Sequence, residues 1–178
     1  FRRVLFRSTP LYMSPEVLKP ILISKIDGFK CDICAAIIII VELYIKMEIK
    51  IKYDNTISLI FGVSANKYII LHECLNALLC MLKNNQYVPI NLSIASDIND
   101  HIIPIIKEIF SITTNHHILL LIDLLCLCLE PDVTKRYTAS EVLCHPFITD
   151  EVGVYKSDIV KNVLRIDRKS TRLNSSHT

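Results

Sequence analysis

Three groupings in this sequence carry side chains that could do chemistry. Cys31 and Cys34 stand in CDIC, Cys126 and Cys128 in LCLC, and His116, His117 and Asp123 follow within one short span. Thiolates and imidazoles at such spacings suggest zinc, which in a structural site takes four ligands, usually as two close pairs. CDIC offers one pair. The second, Cys126 and Cys128, has the wrong spacing and sits inside the apolar run ILLLIDLLCLCL, Ile118 to Leu129. Buried, reduced thiols are the expectation, not zinc. If all three were helical, Asp123 would lie two turns, ~10 Å of rise, from either histidine, too far to share an ion. Cap or surface roles are expected for these three, and no metal.

The elements that would position such groups are helices. The chain has 178 residues, 51 % of them hydrophobic, with only 3 glycines and no tryptophan. That supplies one core, leaves few turn-formers, and predicts a predominantly α fold. SPEVL carries helix-start chemistry: Ser14 caps, Pro15 takes the first position and Glu16 faces the positive end of the dipole. This short helix should end near Lys19, before Pro20. IDGF, Ile26 to Phe29, reads as a turn, followed by a long helix from Lys30 to Glu48 that is apolar on every side and so should be buried. The stretch Asp54 to Ala65 stays open between loop and strand. His72 to Asn85 has the 3,4 apolar spacing of an amphipathic helix. Asp97 to Phe110 forms another, with Pro104 bending or opening it, and Ile118 to Glu130 a buried one. Thr138-Ala-Ser-Glu141 is a capping box that starts a last helix, which halts at Pro146. No apolar run approaches the ~20 residues that span a bilayer, so no membrane partner is expected. Seven cysteines, an odd number mostly in apolar stretches, point to a reducing intracellular setting, the cytoplasm.

The two ends need separate treatment. FRRVLFRS, Phe1 to Ser8, can be encoded by TTC AGA CGT GTG CTC TTC CGA TCT. The reverse complement, read one base on, encodes DRKSTRL, which is Asp167 to Leu173. The two ends can therefore be opposite strands of one DNA piece, and they resemble a translated short-read sequencing adapter that continues through His177. Residues 1–8 and 167–178 are thus expected not to be native. Without them the formal charge falls from +2 to −3, and basicity gives no reason to expect a nucleic-acid partner.

Three motifs within Thr9 to Ile166 then share one resemblance. TPLYMSPEVL resembles the end of the activation segment of eukaryotic protein kinases, whose usual Ala-Pro-Glu appears as Ser14-Pro15-Glu16. CDICAAIIIIVELY resembles the long central helix of the kinase C-terminal lobe, with Asp32 on its aspartate. LEPDVTKRYTASEVLCHPF, Leu129 to Phe147, resembles the closing segment of that domain, with Arg136 and His145-Pro146-Phe147. The wording TPLYMSPE is similar to NIMA-related kinases among the Ser/Thr class. The resemblance implies the helical C-terminal lobe of an α+β parent, truncated before its activation segment. It assigns 9–148 to a partial kinase domain and leaves 149–166 as a C-terminal extension without a readable function.

What the resemblance implies residue by residue is specific. Thr9, Pro10, Leu11 and Tyr12 would receive the protein substrate, with the Thr9 hydroxyl steadying the catalytic aspartate and lysine. Glu16 would pair with Arg136, and Asp32 would accept backbone hydrogen bonds from the catalytic loop. The parent would use ATP and Mg to phosphorylate protein Ser/Thr hydroxyls. The fragment itself should be inactive and bind neither, because no glycine-rich loop, Val-Ala-Ile-Lys, His-Arg-Asp or Asp-Phe-Gly occurs in it. Cys34, Ala35 and Ile37 replace the family's Trp, Ser and Gly, Val133 and Tyr137 replace two prolines, and Asp97 to His117 reads as an insertion. These departures keep a pseudokinase scaffold open as a second reading. An unrelated helical repeat or bundle is the third, and it predicts Glu16 and Arg136 far apart.

Overall fold

The computed structural model describes residues 14–18, 27–49, 69–83, 85, 98–151 and 154–165. The candidate substrate loop Thr9 to Tyr12, the open stretch Asp54 to Ala65 and both adapter-like ends lie outside the described residues. Within them the protein is helical, with no strand. The elements are α1 (Pro15–Leu18), α2 (Gly28–Ile49), α3 (Ile69–Lys83), α4 (Ile98–Ile112), α5 (His116–Cys128), α6 (Ala139–Leu143) and α7 (Pro146–Thr149). A final helix, α8, covers 158–165.

The long helix α2 starts two residues earlier than its apolar run suggests, and Asp27 is the reason. The Asp27 carboxylate accepts from the backbone N–H groups of Phe29 (3.0 Å) and Lys30 (3.2 Å), and its carbonyl accepts from Cys31 N–H. Asp27 thus caps the helix, and IDGF opens α2 instead of preceding it as a separate turn. The Ile37–Val41 stretch is a poor intrinsic helix former because its β-branched side chains are restricted. Packing must hold it. Cys34, Ile37, Ile38 and Val41 are buried, whereas Phe29, Asp32, Ala36, Ile39, Ile40 and Leu43 are exposed. The helix predicted to be buried all round is therefore covered by the described residues on one side only, with Phe29 85 % exposed.

Four long helices supply most of the one core cluster. Leu71, Leu75 and Leu78 of α3, Ile102, Ile106 and Ile109 of α4, and Leu121, Ile122, Leu124 and Leu125 of α5 meet the buried face of α2. Pro104 stays inside α4 without ending it and faces solvent. Lys83 of α3 pairs with Glu108 of α4 across the same packing.

Helix α5 runs from an Asn115 cap, whose side chain accepts from His117 N–H at 3.0 Å. The capping box on α6 is present in full. Thr138 Oγ1 accepts from Glu141 N–H, and the Glu141 carboxylate accepts from Thr138 N–H at 2.7 Å. Pro146 does not simply stop the chain; it takes the first position of α7, where its missing N–H costs nothing. Val160 and Val163 of α8 are fully buried in the same cluster. Within 149–166, α8 thus packs on the core of the preceding helices.

Candidate functional site

The sequence placed its strongest expectation on an acid near residue 16 and a base near residue 136. Glu16 enters at the first turn of α1. Arg136 leaves a tight loop that Asp132 organises. The Asp132 carboxylate accepts from Thr134 N–H (3.0 Å) and Thr134 Oγ1–H (2.6 Å), while its carbonyl accepts from the N–H groups of Lys135 and Arg136. The two Thr134 bonds, led by the one from its side chain, hold the Asp132 carboxyl below its usual range. The turn directs Arg136 inward, where its side chain is wholly buried.

There it meets Glu16 in a two-pronged pair. Arg136 Nη1 donates to Glu16 Oε1 at 2.5 Å and Nη2 to Oε2 at 3.0 Å. Nε donates to the Glu130 carbonyl at 2.9 Å, and Nη1 also approaches the Lys30 carbonyl at 3.4 Å. A planar guanidinium matches a carboxylate in this way as a lysine cannot. The start of α2 closes the site. Cys31 Sγ–H donates to Glu16 Oε1 at 3.3 Å, and Lys30 Nζ donates to the Val133 carbonyl at 2.7 Å. Burial pushes the Glu16 carboxyl up, but the Arg136 hydrogen bonds and charge outweigh it and hold the carboxyl below its ordinary value. Burial pushes the Arg136 guanidinium down, and Glu16 more than reverses this. Both groups stay charged.

Asp32 lies one residue past Cys31 on the exposed face of α2, turned away from this pair. The thiols of CDIC are buried and free. Desolvation pushes Cys31 up to about 11 and Cys34 up to about 12, so neither offers a thiolate near neutral pH. Cys126 and Cys128 are also buried and free, and Cys128 is likewise pushed up by burial to about 12. Among the described residues, no three His, Cys, Asp or Glu side chains converge as a metal ion would need.

A second polar node escaped the sequence reading. Asp123, in the middle of α5, is fully buried and does not turn to His116 or His117. Its Oδ2 accepts from His145 Nε2–H at 3.0 Å and from Lys156 N–H at 2.6 Å, and its Oδ1 accepts from Ser157 N–H at 2.9 Å. The other ring nitrogen of His145, Nδ1, accepts from Phe147 N–H at 3.1 Å. An Asp–His pair resembles half of a catalytic triad, yet here both ring nitrogens are committed and both side chains are wholly buried. No nitrogen is left to take a proton from a substrate. The node is a three-way fastening of α5, the cap of α7 and the entry to α8. The signal for it was a lone acid in the apolar run ILLLIDLLCLCL, since a buried carboxylate requires donors. Which donors it finds depends on chain that returns more than twenty residues later.

No family model, curated protein or solved structure matches this chain. Its geometry therefore has to carry any functional reading. No described helix is long and apolar enough to cross a membrane.

Proposed function

We propose that this chain is a C-terminal-lobe fragment of a Ser/Thr protein kinase whose parent transfers the γ-phosphate of ATP to protein Ser/Thr hydroxyls. One observation carries the reading. The glutamate of Ser14-Pro15-Glu16 and the arginine that closes EPDVTKR, 120 positions apart, form a buried two-pronged ion pair over the start of the long apolar helix. In the kinase-like reading this pair ties the activation segment to the last helices. A stack of helical repeats, in which each unit touches only its neighbours, gives no reason for such a long-range pair.

The face of α2 that the described residues leave uncovered fits the same reading. A helix apolar all round is made for burial, and Asp32 stands on the face left open, where backbone amides of a catalytic loop could reach it. Thr9 to Tyr12 would then bind the protein substrate. ATP and Mg belong to the parent; the segments that hold them in that family have no counterpart in this sequence, and no step is assigned to the fragment. The departures at Cys34, Ala35 and Ile37 support the scaffold reading as the alternative.

The test is the upstream transcript. It should encode a lysine-bearing strand, a His-Arg-Asp loop and an Asp-Phe-Gly segment, and the full protein should label a Ser/Thr substrate from γ-labelled ATP. Loss of the catalytic or metal-binding aspartate upstream would favour the scaffold. Upstream sequence without any such lobe, or phosphoryl transfer by the 178-residue chain alone, would overturn the assignment.

A further inference from the structure

A second pair of side chains, unrelated to the ion pair, sits where α3 packs along α4. His72 of α3 is buried and His101 of α4 is exposed. Their ring centroids are 6.3 Å apart with the planes at 78°, edge to face. The Nδ1 atom of His72 is buried with no hydrogen-bond partner. A neutral imidazole can leave one nitrogen unpaired at modest cost. An imidazolium cannot, because the new N–H would have no acceptor and its charge would face a second imidazole.

The surroundings offer little relief. From α4 the facing group is His101, and the described ion pair on that seam, Lys83 with Glu108, is already matched. From α2 and α5 the buried titratable groups are the thiols of Cys31, Cys34, Cys126 and Cys128, and Asp123, which is held by His145 and the 156–157 amides. On α3 itself the buried neighbours are Glu73 and Cys74, and neither counters the effect of burial on His72. Burial first, and His101 second, pull His72 down to about 4 from its ordinary 6.5.

We propose that this imidazole pair makes the α3–α4 seam an acid-operated joint, closed while His72 is neutral and opened by its protonation. The sign follows from linkage. The open form takes up a proton near 6.5 that the closed form refuses until about 4, so the closed form loses ground as pH falls between those values.

Hydrogen exchange read by mass spectrometry on the full chain, corrected for the intrinsic pH dependence of exchange, tests this. Between pH 7.5 and 4.5 the opening constant of amides in α3 and α4 should rise roughly 70-fold, while those of α5 rise far less. His72→Phe, similar in volume and unable to titrate, should abolish the rise. An equal rise in α5, or a rise that survives His72→Phe, overturns the joint. If that variant does not fold, the His72 ring resonance of the wild-type chain decides: a midpoint near 4 supports the joint, and one near 6.5 sinks it.

Discussion

Removing either member of the Glu16–Arg136 pair should be costly, and unequally so. Arg136→Ala strands a carboxylate whose side chain keeps 17 % of its exposure, so some hydration returns. It also removes the donor to the Glu130 carbonyl. A loss of ~3–4 kcal/mol is expected. Glu16→Ala strands a guanidinium that is wholly buried and left with only the Glu130 and Lys30 carbonyls; here ~4–5 kcal/mol is expected. With both removed, neither charge is stranded, and the double variant should lose much less than the two single losses together, leaving a coupling of ~2–3 kcal/mol. Arg136→Lys keeps the charge but not the two-pronged geometry and should lose ~2 kcal/mol. Urea unfolding followed by far-ultraviolet circular dichroism measures all four. Additive single losses, with no coupling, would refute the claim that these residues act on each other, and the kinase-like reading would fall with it.

Three further outcomes follow from the same contacts. Glu16 is held below its ordinary 4.5, so its contribution is complete above that value and is lost as pH falls through the folded value. Glu16→Gln should flatten the acid limb of stability below pH 4.5, a window that lies mostly below that of His72, when unfolding free energy is measured against pH. Asp123→Asn keeps the shape but turns an amide N–H₂ toward existing donors; a loss of ~3 kcal/mol is expected, with exchange protection lost first over 154–165. Thr138→Ala removes one half of an exposed capping box and should lose only ~1 kcal/mol by the same urea assay.

Local chemistry was legible wherever the deciding partners were near in sequence. The Thr138–Glu141 box and the persistence of α5 through its apolar run needed only a few adjacent residues. The start of α2 was misplaced by two residues because Asp27 caps from outside the apolar pattern. The role of Asp123 could not be reached at all from its neighbours. Its acidity and burial announce a need for donors, but His145 and the amides of 156 and 157 arrive only when the chain folds back. The same holds for 158–165, where Val160 and Val163 look unremarkable until α5 gives them a surface.

The Glu16–Arg136 pair lies between these cases. A resemblance in motif order named both residues, yet nothing in their own neighbourhoods sets an acid against a base across 120 positions. By itself the sequence determined the helical character, the caps and the supply of apolar side chains, because those depend on periodicity and on hydrogen bonds within a turn or two. Only the tertiary structure decided which buried polar groups meet and which face of α2 the described helices cover. Burying a charge is tolerable only beside its partner, and the partner's position is set by packing between helices distant in the chain.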